Sequence, residues 1–190
     1  MLFGAPVYAP PRQPLCTARL LLRPYCEADE AVFFKLLSEN RERLQPAFPS
    51  RVAAVQTPAD ARRVLVGFDQ DWRTGRLYVF GFWEQTTGHY LGDISLKPTW
   101  QEPVTAEIGY YLSREAEGHG YAREALAAAV EFGFREIPGA ARLLIRCRSD
   151  NPRSCAVAEA CGFRRANGRT RRWPGRSQPE IFYYALARPQ

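Results

Sequence analysis

Lysine is almost absent from this chain. Lys35 and Lys97 are the only two in 190 residues, and arginine supplies the rest of the basic charge that leaves a net +6. That excess fits an anionic ligand or partner, or an arginine-rich solvated surface. No apolar run approaches the roughly 20 residues needed to cross a bilayer, and the N-terminus lacks the charged start and apolar block of a signal peptide, so a cytoplasmic protein without membrane contact is expected. The five cysteines, Cys16, Cys26, Cys147, Cys155 and Cys161, are odd in number and contain no C-x-x-C pair. They are read as reduced thiols, mostly in or near the core, with no disulfide framework and no metal site. A Walker lysine and a G-x-G-x-x-G fingerprint are also missing, which removes support for nucleotide-triphosphate and Rossmann sites. No internal repeat or second domain is visible.

What is present follows a mixed pattern. Residues 1–14 carry four prolines and little periodicity and read as a flexible arm, with a single domain over 15–190. A β-like run from Leu15 to Arg23 ends at Pro24, and Ala28 to Leu37 places Ala31, Phe34 and Leu37 on one helical face. Thr57, Pro58, Ala59 and Asp60 make a strong helix start, with Gly75 as its stop. Leu77 to Glu84 and Tyr90 to Lys97 read as a hairpin, and Thr105 to Leu112 as a third strand. Tyr121 to Arg135 is helical, Arg142 to Cys147 a strand, and Asp150, Asn151 and Pro152 open a helix closed by Gly162. Two β-rich runs follow, Phe163 to Trp173 and Glu180 to Ala187, with a tight turn at Asn167 and Gly168 as an alternative within the first.

The informative segment is EIGYYLSREAEGHGYAREAL, Glu107 to Leu126, where a strand leads through a glycine-containing loop into a helix. Gly118 and Gly120 let successive amides turn toward one point, and the helix starting near Tyr121 adds its positive end. Such a junction suits a diphosphate. Alone, a G-x-G before a helix is also an ordinary structural turn.

Glu115, Ala116, Glu117, Gly118, His119 and Gly120 resemble motif A of the GNAT acetyltransferases, Q/R-x-x-G-x-G/A, with glutamate in the first position. Asn151 and Ser154, followed by Gly162 and Phe163, resemble the family's N-x-x-S/A and later GF. TARLLLRP at Thr17 to Pro24, NRERLQPAFP at Asn40 to Pro49, and Glu180, Tyr184 and Leu186 resemble the RimJ/RimL-like branch, ribosomal-protein N-terminal acetyltransferases in type. The likeness covers nearly everything after residue 15.

The resemblance implies an α+β GNAT fold, a mixed and mostly antiparallel splayed sheet flanked by helices. It implies an acetyl-CoA-dependent N-acetyltransferase that forms a ternary complex, with the amine attacking directly and CoA leaving as product. It places Tyr110, Tyr111, Leu112, Glu117, Gly118, His119, Gly120, Tyr121, Ala122, Asn151 and Ser154 around the cofactor. Glu107 is the candidate general base, its alternative being a carboxylate in a surface ion pair. Many relatives carry a tyrosine acid seven residues after the motif asparagine, but here that position is Ala158. The resemblance to the RimJ/RimL-like branch implies that Ser154 lies near the CoA sulfur as the candidate acid, its alternative being a first-turn serine bonded to backbone.

Asn151 serves as a helix cap, a pantetheine contact, or both. His89 and His119 are read as loop residues, not bases, and the cysteines as packing, since no activating partner is evident. The expected partners are acetyl-CoA and a primary amine, either a protein N-terminus or a small molecule. Nucleic acid is not expected: Arg164, Arg165, Arg169, Arg171, Arg172 and Arg176 form a basic cluster, but no recognised motif or aromatic platform accompanies it. The closing strands leave a homodimer open. The competing reading is a catalytically silent GNAT-fold module that binds CoA or a protein.

Overall fold

The computed structural model describes residues 9–166 and 179–189. Eight strands form one sheet: β1 (Leu15–Cys16), β2 (Leu20–Arg23), β3 (Tyr78–Glu84), β4 (Tyr90–Thr99), β5 (Thr105–Leu112), β6 (Arg142–Arg148), β7 (Arg164–Arg165) and β8 (Ile181–Ala187). Their spatial order is β1-β2-β3-β4-β5-β6-β8-β7. Neighbours are antiparallel except β5 and β6, which run parallel because α5 (Tyr121–Glu136) crosses over between them. The remaining helices are α1 (Glu30–Glu39), α2 (Arg41–Leu44), α3 (Pro49–Ala54), α4 (Pro58–Arg73) and α6 (Pro152–Ala160).

Each face of the sheet buries its own core. Toward α5 and α6, Phe80, Ile94, Ile108 and Leu143 pack with Leu126, Ala129 and Phe132, and Trp72, Tyr78, Phe80 and Phe132 meet edge to face or tilted with centroids 4.9–5.9 Å apart. Toward α1–α4, Val79, Trp83 and Tyr111 pack with Phe33, Leu37, Val52 and Leu65. Alternation along the strands sends successive side chains to the two cores.

The cap of α4 forms as expected: Thr57 Oγ1 accepts from the Asp60 amide at 3.2 Å while Asp60 Oδ2 accepts from the Thr57 amide at 2.8 Å. Other boundaries shift. The single run expected over Leu15–Arg23 is two short antiparallel strands, turned at Thr17, whose amide donates to the Leu20 carbonyl and whose hydroxyl accepts from the Leu20 amide, both at 2.9 Å. Two short helices follow α1, Arg41–Leu44 after Asn40 and Pro49–Ala54 with Pro49 in its first turn. Within residues 1–14, the Pro10 carbonyl accepts from buried Trp72 at 3.0 Å and Arg12 pairs with Asp69. Only the start of the run Phe163–Trp173 is described, as β7. Asn167, Gly168 and the arginines at 169, 171, 172 and 176 lie outside the described residues.

Candidate active site

β5 ends at Leu112, and Ser113 starts a 3-10 turn, its hydroxyl accepting from the Ala116 amide at 3.3 Å. The chain then passes Glu117, Gly118, His119 and Gly120 into α5. Gly118 and Gly120 have φ of +83° and +80°, a region that a β-carbon makes costly, and nothing lies within 4 Å of where a Gly118 β-carbon would stand. Among the described residues the amides of Gly118, His119 and Gly120 make no hydrogen bond, and the first turn of α5 adds its own unpaired amides. A concave set of amides without a side chain in front of it matches a diphosphate, so the residues present fit that group.

Both flanks of this loop are tied down by arginine. On one side Arg19 donates to the His119 carbonyl at 2.9 Å and to Glu124 Oε2 at 2.8 Å, and Thr17 Oγ1 donates to Glu124 Oε1 at 2.5 Å. These bonds outweigh burial and hold the Glu124 carboxyl below its ordinary range. Tyr121 lies under the Arg19 guanidinium, 4.6 Å from ring to charge, and donates to Glu84. On the other side Glu117 bonds Arg43 from α2 at 2.6 Å and Arg153 from α6 at 2.8 Å. Glu115 is exposed.

Beyond the loop a cleft opens in the sheet. β5 and β6 pair from Thr105↔Arg142 to Ile108↔Ile145 and no further. β5 continues against β4 to Leu112 and β6 against β8 to Arg148, so the two strands part after Ile108. A cavity of ≈ 540 Å³ occupies this region, with Pro46, Phe48 and Ser50 on one wall, Glu107, Gly109 and Arg146 on the sheet, and Asn151 and Ser154 at α6. Arg148 donates to the Pro46 carbonyl at 3.2 Å, fastening the wall to β6.

The expected catalytic residues both face this cavity. Glu107 Oε1 accepts from Arg146 Nε and Nη2 at 2.7 and 2.6 Å, while Oε2 has no partner among the described residues. The ion pair weighed against catalysis is thus present, and it engages one of the two oxygens. Ser154 Oγ lies 3.2 Å from the Tyr110 hydroxyl and 3.5 Å from Cys147 Sγ. Burial pushes the Tyr110 phenol up and the Cys147 thiol up to about 11, which favours the protonated thiol near neutral pH. Asn151 Oδ1 accepts from the Ser154 amide at 3.2 Å, the capping role foreseen for it. Ala158 is fully buried, so a tyrosine there would have no space.

The Tyr111 hydroxyl donates to Asp93 at 2.7 Å, and its side chain is buried in the core on the α1–α4 face, onto which residue 111 alternates. Leu112 is also buried, and its carbonyl accepts from Arg43. Ala122 and Tyr121 stand in the first turn of α5, and His119 is exposed in the loop, as read from sequence. Cys147 is buried and Cys155 and Cys161 half-buried, while Cys16 and Cys26 are exposed. Arg43, Arg146 and Arg153 were not foreseen, since each finds its carboxylate far along the chain and no local pattern marks it.

The loop, the parted strands and the helix after β6 occur together in known proteins. The acetyltransferase (GNAT) domain model matches residues 19–164. The chain belongs to the GNAT acetyltransferase family. It is 30% identical over 126 residues to the uncharacterized protein YkkB of Bacillus subtilis, covering 64% of this chain and 69% of that protein. It is 29% identical over 130 residues to the ribosomal-protein-serine acetyltransferase of Escherichia coli, covering 68% and 70%. Among solved structures, the ribosomal-protein α-N-acetyltransferase RimL in complex with coenzyme A superposes with a TM-score of 0.77 at 22% identity, covering 92% of this chain and 98% of that one. The GNAT fold expected from sequence, with its mixed sheet, is the fold observed. Among the described residues no helix is long and apolar enough to cross a membrane.

Proposed function

We propose that this GNAT domain transfers an acetyl group from acetyl-CoA to a primary amine, and that the amine is the N-terminus of a protein. The observation that carries the reading is the loop Glu117–Gly120: left-handed glycines and unbonded amides at the start of α5, at the mouth of the parted strands. RimL, with the same fold, has been solved with coenzyme A, and the Escherichia coli relative acts on a ribosomal protein, which supports the protein acceptor over a small amine. When bound, acetyl-CoA supplies the acetyl group as an activated thioester.

The chain's own groups do the rest. The amides of Gly118, His119 and Gly120 and the first turn of α5 hold the diphosphate. The β5 and β6 edges exposed after Ile108 and Ile145 offer backbone groups to the amide-bearing arm, as a sheet edge does to a peptide. Glu107, through Oε2 or a water, takes a proton from the amine. Ser154 Oγ, held near Tyr110, donates its proton at the end of the cleft where the sulfur departs. The wall Pro46–Ser50, packed by Phe48 against Tyr111 with ring centroids 5.1 Å apart, bounds the acceptor side.

Isothermal titration with acetyl-CoA, followed by turnover on peptides with free or blocked N-termini, tests this. Micromolar binding with turnover of the free peptides alone is expected. Binding without turnover on any amine would replace the reading by a silent CoA-binding module, and no binding would remove the cofactor itself.

A further inference from the structure

Three charged side chains meet where the cleft opens. Glu117, the residue before Gly118, bonds Arg43 Nη1 through Oε1 at 2.6 Å and Arg153 Nη1 through Oε2 at 2.8 Å. Arg43 comes from α2 and is anchored further by Asn40 Oδ1 at 2.9 Å and the Leu112 carbonyl. Arg153 comes from the first turn of α6, which follows β6, so its bond to Glu117 links the loop after β5 to the element after β6, across the gap between the parted strands. The Arg153 side chain is 82% exposed and has no other partner among the described residues.

We propose that Glu117 is a resident counter-anion that holds Arg153 beside the diphosphate cradle and releases it to the diphosphate on binding, with Arg43 as the fixed second cation. The proposal rests on the diphosphate reading of the loop. The motif Glu115–Gly120 holds no arginine or lysine, since Glu115 stands where the pattern it resembles has glutamine or arginine. The two arginines supply that charge from α2 and α6 instead. A guanidinium presents paired donors that match phosphate oxygens, and a diphosphate offers more charge and more acceptors than one carboxylate. The guanidinium of the pair it displaces is 82% exposed and therefore well screened, so the exchange is favourable. Glu117 thus orders Arg153 in the free protein and competes with the diphosphate for that guanidinium.

The test is isothermal titration of CoA, and of CoA lacking the 3′-phosphate, into the full chain and its variants Glu117→Gln, Glu115→Gln, Arg153→Gln and the 117/153 double variant. Glu117→Gln is expected to tighten CoA by about three- to fivefold and Arg153→Gln to weaken it by a similar factor, the scale of one exposed charge pair. Both shifts should persist without the 3′-phosphate, and the gain at 117 should shrink in the Arg153→Gln background. Glu115→Gln, which removes the same charge from an unpaired position, should bind within about twofold of the unaltered chain. Equal or weaker binding by Glu117→Gln overturns the proposal, as does an Arg153 effect that disappears with the 3′-phosphate or an equal gain from Glu115→Gln. Failure of the unaltered chain to bind CoA would sink the functional reading itself, an outcome distinct from these. Thermal melting of each variant separates lost binding from lost folding.

Discussion

Asp93 on β4 and Glu107 on β5 project from the same face of the sheet, and each carries one arginine. Asp93 is 1% exposed and takes Arg51 at 2.6 Å, together with hydroxyls of Tyr111 at 2.7 Å and Tyr25 at 3.4 Å. Tyr25 is in turn 2.5 Å from the Tyr90 hydroxyl, and Arg51 stacks on Phe68. Burial pushes the Asp93 carboxyl above its ordinary range, against the pull of Arg51 and Tyr111. Glu107 and Arg146 are 38% and 56% exposed at a cavity, with one carboxylate oxygen unused. The same pairing of charges therefore does two jobs. In the interior it locks α3 to the sheet, and at the cleft it leaves a carboxylate that water and an amine can reach.

The sharpest way to break this comparison is to remove one partner of the buried pair. Arg51→Met strands Asp93 without its cation and is expected to lower stability by about 3–5 kcal/mol. Urea unfolding reads this directly, and the double variant with Asp93→Asn should recover much of the loss. A single variant as stable as the unaltered chain would mean that the tyrosines alone satisfy Asp93.

Next in size is Glu107→Gln, which should cut turnover about 100-fold, at the low end of what a positioned base contributes, without moving the melting temperature. Unchanged turnover would return Glu107 to a purely electrostatic role beside Arg146. Ser154→Ala should cost roughly tenfold in kcat with CoA affinity retained, because water can replace a hydroxyl as proton source. A loss confined to CoA affinity would make Ser154 a binding residue. The smallest effect is expected from Arg146→Gln, below about 1 kcal/mol in urea unfolding, since exposed pairs contribute little. A loss as large as that from Arg51→Met would erase the distinction between the two carboxylates.

Much of this arrangement was legible before any fold was known, and the legible parts share a property: their signals are local. The Thr57 cap, the Gly118–Gly120 loop before a helix, the Asn151 cap and the alternation of β5 each depend on residues within a few positions, where backbone conformation and side-chain chemistry constrain one another. Tyr111 follows the alternation of β5 onto the face that carries Asp93, although local signals did not name that partner. The partners of Glu107 and Glu117 were invisible as well. Arg146 is 39 positions from Glu107, and Arg43 is 74 from Glu117, and nothing in an arginine-rich sequence says which guanidinium a carboxylate will meet. The turn at Thr17 was hidden because Leu15–Arg23 holds no glycine or proline to mark where the strand folds back.

Among the described residues every ion pair but Lys35–Glu39 is made by arginine. A lysine amine is itself a target of acetylation and loses its charge when modified, whereas a guanidinium stays charged throughout the physiological range. A protein that works beside an acyl donor and carries its positive charge on arginine keeps that charge out of reach of its own reaction. Only Lys35 and Lys97 offer side-chain amines to be spent.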